Sequence, residues 1–278
     1  MPPTLTDRAA LTRNRTRAAR APALFLHEAA AVEVQERLIE INRSFTAPAV
    51  VTGFPDFWHR VLPKAQLVAD DEVLALESGA HDLVVHALAL HWANDPVGQL
   101  VQCRRALKPD GLILAVLYGG QTLAELRACL AGAEVAVTGG LTPRVLPMAE
   151  IRDLGGLLQR AGFALPVADS TLHRVSYASP LRLMHDLRAM GEGNALAARH
   201  RRPTSRRLFD AMARHYAESY PIPPNRILAT FEMIFLTGWA PADSQPKPLR
   251  PGSARQRLAD ALRVAETPVP QAAPKPGN

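Results

Sequence analysis

Apolar residues recur along the chain in two patterns, which predict helices and buried strands in alternation. Ala30, Val34, Leu38 and Ile41 are spaced as one face of a helix. Three short apolar runs then follow at residues 49–52, 83–85 and 112–116, each without polar alternation. Unbroken apolar runs of this length are typical of strands that are buried on both faces.

A helix is predicted between the second and third of these runs. It opens at Asp95-Pro96, because aspartate caps helices well and proline is favoured at the first helical position. Strand, helix and strand at this spacing form a βαβ unit. The pattern therefore predicts an α/β fold with a Rossmann-like, mostly parallel sheet and helices on both faces.

Further elements are predicted on either side of this unit. We expect a short helix over residues 57–62 and a turn at 109–111, and a short apolar run at 67–69 precedes the acidic residues 70–72. Four later helices are predicted at 123–130, 149–161, 181–190 and 205–220, with Gly162 as a left-handed cap of the second. Residues 167–177 and 228–239 are predicted strands.

Length and composition describe a globular chain with basic ends. The 278 residues are 47% hydrophobic, enough for a sizeable core. We expect a basic helical region at 1–44, an α/β domain at 45–240 with a helical insertion near 180–222, and a basic, proline-rich, partly disordered tail at 241–278. No apolar stretch is long enough for a membrane span. With only Cys103 and Cys129, a reducing, cytoplasmic setting is expected.

The net charge of +6 is concentrated at the two ends of the chain. Residues 1–20 carry +4 and residues 241–278 carry +3, so the remaining body carries −1. We interpret the opening as a solvated helix; a transit peptide is the alternative, although the stretch has no serine. A near-neutral body argues against a nucleic-acid groove across the folded surface, so no nucleic-acid partner is expected.

Four segments follow the predicted strands, where ligands bind in sheets of this kind. They are Gly53, the acidic run Asp70-Asp71-Glu72, residues 86–92, and residues 118–121. Each also has a plainer interpretation. The acidic run suits either cofactor contact or a solvated loop, and the glycines at 119–120 suit either close substrate approach or an ordinary turn. The histidines and cysteines show no metal-ligand spacing, so no metal is expected.

Several segments together carry a family resemblance. They are Ala69 to Glu72, His81 to Asp95, Leu107-Lys108-Pro109-Asp110-Gly111, Gly119 to Leu123, Asp186 to Gly191 and Gly238-Trp239. The chain resembles class I S-adenosylmethionine-dependent methyltransferases. More narrowly, it is similar to the bacterial relatives of the mitochondrial respiratory complex I assembly methyltransferases, which are themselves similar to biotin-pathway malonyl-carrier methyltransferases.

The resemblance implies a set of site residues and one departure from the family pattern. Cofactor-binding positions are expected at Gly53, Asp70, Asp71, Glu72, His86, Leu88 and His91. Substrate-binding positions are expected at Trp92, Tyr118, Gly119, Gly120 and Gln121. The family's Asp-x-Gly-x-Gly loop is reduced here to Val51-Thr52-Gly53-Phe54-Pro55-Asp56. We expect one strand–helix unit to be shortened or missing at this point.

Methyl transfer needs few catalytic side chains, because the sulfonium is already an activated donor. The resemblance therefore implies an S-adenosylmethionine-dependent methyltransferase with no assigned catalytic residue, acting on a protein side chain or a small acyl acceptor. The alternative is a catalytically impaired binding or assembly protein for a respiratory-chain subunit or another partner. A third interpretation is arginine hydroxylation, with which some members of the family are associated.

Overall fold

Seven strands form one mixed sheet in the computed structural model, which describes residues 4–246. Their order across the sheet is β2-β1-β3-β4-β7-β5, and β6 pairs with β7 at one end. The strands are β1 Pro48–Thr52, β2 Gln66–Val68, β3 His81–Ala87, β4 Leu107–Tyr118, β5 Ala164–Tyr177, β6 Pro221–Ile222 and β7 Arg226–Trp239. Strands β2, β1, β3 and β4 are parallel to one another. Strand β7 runs antiparallel to β4, and β5 runs antiparallel to β7. The expected Rossmann-like α/β sheet is confirmed.

Eight α-helices accompany the strands within the described residues. They are α1 Arg8–Ala18, α2 Phe25–Ile41, α3 Pro55–Val61, α4 Pro96–Ala106, α5 Ala124–Thr138, α6 Ile151–Arg160, α7 Pro180–Ala189 and α8 Arg206–Ser219. Local chemistry sets several of their ends. The Asp95 carboxylate caps α4 by accepting from the Gly98 N–H at 2.8 Å. Gly162 takes a φ of 82° after α6, as the predicted left-handed cap requires.

Alternate residues of each central strand face two separate core layers. Val50, Val85 and Leu114 pack under α2, α5, α7 and α8. Val51, Val84 and Ile113 face the other way, under α4 and α6. Because a strand's side chains alternate between faces, unbroken apolar runs are what a sheet covered on both sides needs. This arrangement confirms the expected helices on both faces.

The structure places the shortening differently from the sequence expectation. The second strand is present as β2, and α3 connects it to β1. It is the following connection, residues 69–80, that contains neither helix nor strand. The predicted turn at 109–111 also differs, because these residues lie inside β4 at an irregularity in its pairing with β3, with Asp110 at a φ of 61°.

The N-terminal helix α1 packs onto the domain and is not the solvated helix expected from its charge. Ala10, Leu11 and Ala18 are buried. Before the helix, Thr6 forms a β-bridge with Leu196, and Asp7 forms a 2.9 Å ion pair with Arg199. Most of the predicted basic tail, residues 247–278, lies outside the described residues.

Candidate functional site

The carboxyl ends of β1, β3 and β4 meet at one edge of the sheet, because these strands are parallel neighbours. This edge carries Gly53 after β1, His86 near the end of β3 and Tyr118 at the end of β4. The 3-10 helix Leu90–Trp92 follows β3 and adds His91. The order of the strands thus brings together residues that the sequence predicted one by one.

The side chain of Arg15 from α1 lies across this edge. Its guanidinium forms an ion pair with the buried carboxylate of Asp70, which Arg8 also contacts at 3.4 Å. A Cβ placed on Gly53 would lie 2.5 Å from Arg15 Nε, so the glycine leaves room for the arginine. The next residue, Phe54, packs its phenyl ring against the ring of His27, with 4.8 Å between the ring centroids. The space beside the shortened loop is therefore filled by the protein itself.

The three residues of the predicted acidic run have different environments. The side chain of Asp70 is 7% exposed, whereas that of Asp71 is 76% exposed and lies 3.7 Å from Arg8. Burial raises the pKa of Asp70, but Arg15 and Arg8 outweigh it and hold that pKa below its ordinary value. Glu72 turns outward and accepts a 2.8 Å hydrogen bond from the side-chain amide of Asn94. Only Asp70 of the run is buried. We use the name buried cluster for Asp70 and the polar side chains described with it: Arg15, His86, His91, Trp92 and Glu192.

Two buried histidines at this edge are held neutral. Burial lowers the pKa of His86 to about 4 and that of His27 to about 3. His86 Nε2 lies 2.9 Å from the side-chain oxygen of Gln99. His27 Nδ1 accepts a 3.1 Å hydrogen bond from the indole N–H of the fully buried Trp58. Leu88, another predicted cofactor residue, follows β3 with a φ of 48°, a strained backbone for a branched residue.

Glu192, from the loop after α7, completes the polar cluster. Its Oε2 accepts from the indole N–H of Trp92 at 2.7 Å and lies 3.3 Å from His91 Nε2. Burial works against ionisation of Glu192, but His91, Arg15 and Trp92 together hold its pKa below the ordinary value. Its Oε1 makes no hydrogen bond to any residue between 4 and 246. The ring of His91 also packs 4.6 Å from that of Tyr118, between centroids.

Three buried nitrogens in this cluster have no hydrogen-bond partner in the described structure. They are Arg15 Nε, His86 Nδ1 and His91 Nδ1. Buried donors and acceptors are nearly always satisfied in folded proteins, and an unsatisfied one costs about 1–3 kcal/mol. Such atoms, gathered at the carboxyl ends of the strands, indicate the place of a polar ligand.

A cavity of about 330 Å³ adjoins the cluster on the side of α5, α7 and α8. Its lining includes Trp92, Tyr118 and Glu192, which belong to or touch the buried cluster and which we call its inner end, and apolar side chains such as Leu126, Met184 and Phe231. Burial raises the pKa of Tyr118 well above its ordinary value, so its hydroxyl stays protonated. Two of the five predicted substrate residues, Trp92 and Tyr118, line this cavity.

The other three predicted substrate residues form a turn beside the cavity. The backbone N–H of Gln121 donates to the carboxylate of the buried Glu232 at 2.9 Å. A Cβ on Gly119 would lie 2.5 Å from that carboxylate, and one on Gly120 would collide with Glu150. Gly119, Gly120 and Gln121 do not line the cavity, and their contacts in the structure hold β4 against β7.

Sequence reasoning missed Arg15 and Glu192. A signal for Arg15 was present, because Arg8, Leu11, Arg15 and Ala18 share one face of a helix, which pairs two arginines with two apolar residues. Glu192 is a single acid between Gly191 and Gly193, and nothing in the local pattern sets it apart.

Within residues 4–246, no three histidine, cysteine or carboxylate side chains are grouped so that they could hold a metal ion. Among the helices there, none combines the length and apolar character that crossing a bilayer requires. Cys103 and Cys129 are free and buried.

Comparison with known proteins gives consistent matches. A family model described as a methyltransferase domain matches residues 16–115. The chain is 38% identical over 205 residues to the mitochondrial arginine-hydroxylase NDUFAF5 of Danio rerio, covering 74% of this chain and 64% of that protein. It is 40% identical over 192 residues to the protein of the same name in Dictyostelium discoideum, covering 69% and 44%. It is 35% identical over 178 residues to the malonyl-[acyl-carrier protein] O-methyltransferase of Laribacter hongkongensis, covering 64% and 57%. The chain thus spans 44% to 64% of the length of these curated relatives.

Proposed function

We propose that this chain is a class I S-adenosylmethionine-dependent methyltransferase that transfers a methyl group to a cationic protein side chain. Its matches to a methyltransferase domain, to the NDUFAF5 proteins and to a malonyl-carrier O-methyltransferase support this proposal. The cofactor would lie at the carboxyl ends of β1 and β3, and the acceptor in the adjoining cavity. The name of the NDUFAF5 relatives gives arginine as the residue on which they act.

The donor set at the sheet edge suits an adenosyl cofactor in its chemistry. Asp70 offers a buried carboxylate for hydroxyl or amine groups, and His86 and His91 each offer an unsatisfied ring nitrogen. Gly53 allows a ligand to approach the backbone closely. Arg15 fills this space in the present conformation, so its side chain has to leave before the cofactor can enter.

When bound, S-adenosylmethionine supplies a methyl group on an activated sulfonium. The protein's task is then to exclude water and to align the acceptor with that group. Trp92 and Tyr118 are buried and line the cavity where it adjoins the buried cluster, so they help to exclude solvent there. Glu192 faces the cavity with Oε1 unpaired, and its lowered pKa keeps it ionised at neutral pH. It would therefore hold an arginine or lysine side chain by a charge-assisted hydrogen bond and take up the proton that the nitrogen must lose when it gains the methyl group.

One observation carries the proposal. Glu192 belongs to both compartments, since Oε2 contacts His91 and Trp92 of the buried cluster while the residue also lines the inner end of the cavity. A cofactor in the first compartment and an acceptor in the second would meet at this residue. A transfer between two bound molecules requires their sites to adjoin, so that the acceptor atom can reach the methyl group directly.

Calorimetry and mass spectrometry test the proposal together. We expect S-adenosylhomocysteine to bind the wild-type chain, and an arginine peptide incubated with S-adenosylmethionine to gain the mass of one methylene. Glu192→Gln keeps the shape and loses the charge, so it should lower peptide modification while cofactor binding persists. Glu33→Gln, a change at a partly exposed carboxylate on α2, is the matched control.

Other outcomes would contradict the proposal in distinct ways. A gain of one oxygen atom would indicate hydroxylation, as in the name of the NDUFAF5 relatives. Failure of both the wild type and Arg15→Ala to bind the cofactor product would remove the transfer reaction. The binding or assembly role would then account for the fold, with Arg15 as a permanent part of its core.

A further inference from the structure

A strongly basic segment, residues 199–207, lies along one side of the cavity; with Arg188 it forms what we call the mouth. Residues 199–207 contain five arginines and one histidine and no acid. Arg199, His200 and Thr204 line the cavity, together with Arg144 and Arg188 from other segments. The body of the chain is otherwise nearly neutral, so this segment is a local concentration of positive charge.

Some of these arginines already have partners inside the protein. Arg144 forms a 2.7 Å ion pair with the buried Glu134, and Arg199 forms a 2.9 Å ion pair with Asp7. These contacts fix the position of the mouth. Arg144 and Arg199 are thus paired with acids of the chain itself.

Four other arginines are exposed and have no side-chain partner among residues 4–246. Arg202, Arg206 and Arg207 lie within the basic segment, and Arg188 lies on α7 and lines the cavity. Arg201 is 70% exposed, and its contact with Asp7 is a long 3.7 Å. Unpaired like charges repel one another, and an anionic partner would relieve that repulsion.

We propose that this mouth, formed by Arg188 and residues 199–207, docks an acidic segment of the acceptor protein, whose carboxylates flank the side chain that enters the cavity. The inference rests on the proposed function for the nature of the acceptor side chain. The partner's carboxylates pair with the unpartnered arginines, and the cationic side chain passes the apolar middle to reach Glu192.

The interior of the cavity distinguishes an acidic polypeptide from a nucleic acid. Its middle is lined by Leu126, Met184 and Phe231, and its inner end carries the ionised carboxylate of Glu192. That carboxylate would repel a phosphate but attract an ammonium or guanidinium. The site therefore suits a polypeptide with acidic residues at the mouth and one basic side chain that extends into the cavity.

Fluorescence anisotropy on the full chain, without cofactor, tests the docking. The probes are fluorescein-labelled peptides with a central arginine and either glutamates or glutamines on both sides, and a labelled single-stranded RNA. We expect the glutamate peptide to bind at least about tenfold more tightly than the glutamine peptide at low salt, since each exposed ion pair is worth about two- to fivefold. The difference should shrink as salt rises.

Charge reversal locates the surface. Arg202→Glu/Arg206→Glu should abolish the preference for glutamate flanks. Arg152→Glu/Arg160→Glu makes the same change in net charge on α6, against the other core layer, and should preserve the preference. Circular dichroism checks that both variants fold.

Three outcomes would overturn the inference: equal binding of the two peptides, a preference unchanged in Arg202→Glu/Arg206→Glu, or tighter binding of the RNA. Calorimetry with S-adenosylhomocysteine on the same samples separates this failure from failure of the proposed function. Loss of cofactor binding removes the methyl transfer and leaves the docking result intact. Equal peptide binding removes the docking and leaves cofactor binding and peptide modification intact.

Discussion

Arg15 reaches from the N-terminal helix to the buried carboxylate of Asp70, across 55 positions of sequence, and forms an ion pair there. The pair closes the edge of the sheet at which the cofactor is proposed to bind. Arg15 also contributes to the electrostatic environment of His27, His86 and Glu192. The first helix of the chain is thereby part of the candidate site.

Removing Arg15 is expected to open the cofactor site. Arg15→Ala deletes the side chain that lies against Gly53, so S-adenosylhomocysteine should bind more tightly, by about tenfold for an ion-pair cost of about 1.4 kcal/mol. Titration calorimetry measures the change. Arg17→Ala, an exposed position on the same helix, is the control and should leave the affinity unaltered. Weaker binding by Arg15→Ala would instead make Arg15 a ligand of the cofactor.

Neighbouring aspartates should differ sharply in their effect on stability. Asp70→Asn leaves the guanidinium of Arg15, whose side chain is 10% exposed, without its main partner, which should cost about 3 kcal/mol. Asp71→Asn removes an exposed charge and should change the free energy of unfolding by less than about 0.5 kcal/mol. Urea denaturation of both variants provides the comparison, and similar losses would mean that Arg15 is not held by Asp70.

Stability should fall in mildly acidic solution because two histidines are buried in the neutral form. The pKa values of His27 and His86 are lowered from 6.5 to about 3 and about 4, so below pH 6.5 the unfolded chain binds more protons than the folded one. The stabilisation is complete above pH 6.5 and is lost as the pH falls towards the folded-state values. Lowered pKa values of Asp70 and Glu192 add to the loss at still lower pH.

A variant can assign part of this pH dependence. His27→Gln can still accept the hydrogen bond from Trp58 but does not titrate, so its unfolding free energy should depend less steeply on pH between 6.5 and 4.5. The exposed His59→Gln is the matched control. An unchanged slope in His27→Gln, measured by urea denaturation at several pH values, would contradict the assignment.

Two glycines offer a matched test of the turn after β4. Gly119→Ala would place a methyl group 2.5 Å from the carboxylate of Glu232 and 2.6 Å from the side chain of Ile234, so it should cost about 1–3 kcal/mol. Gly140→Ala has no atom within 4 Å of the new Cβ and should be nearly neutral. Chemical denaturation of both variants is the measurement. Equal stabilities would show that the turn can shift away from Glu232 at little cost.

The sequence by itself determined most of the elements and the edge of the sheet that carries the candidate site. Residues 49–52, 83–85 and 112–116 became the central parallel strands, and Asp95 capped the predicted helix. These features follow from local rules, since burial of alternate side chains and capping depend on neighbours only a few positions apart. The family resemblance was also contained in short contiguous segments.

Only the tertiary structure decided which charges meet. Asp70 was equivalent to Asp71 in the sequence, yet one is buried under two arginines and the other lies in solvent. Glu192 reaches His91 and Trp92 from about a hundred positions away, and the mouth of the cavity joins α7 to residues 199–207. Ion pairs across such separations leave no periodic trace in the sequence, because they depend on how the helices are placed around the sheet. The candidate edge of the sheet was therefore predictable from the sequence, but Arg15, which fills it, and Glu192, which connects it to the cavity, were not.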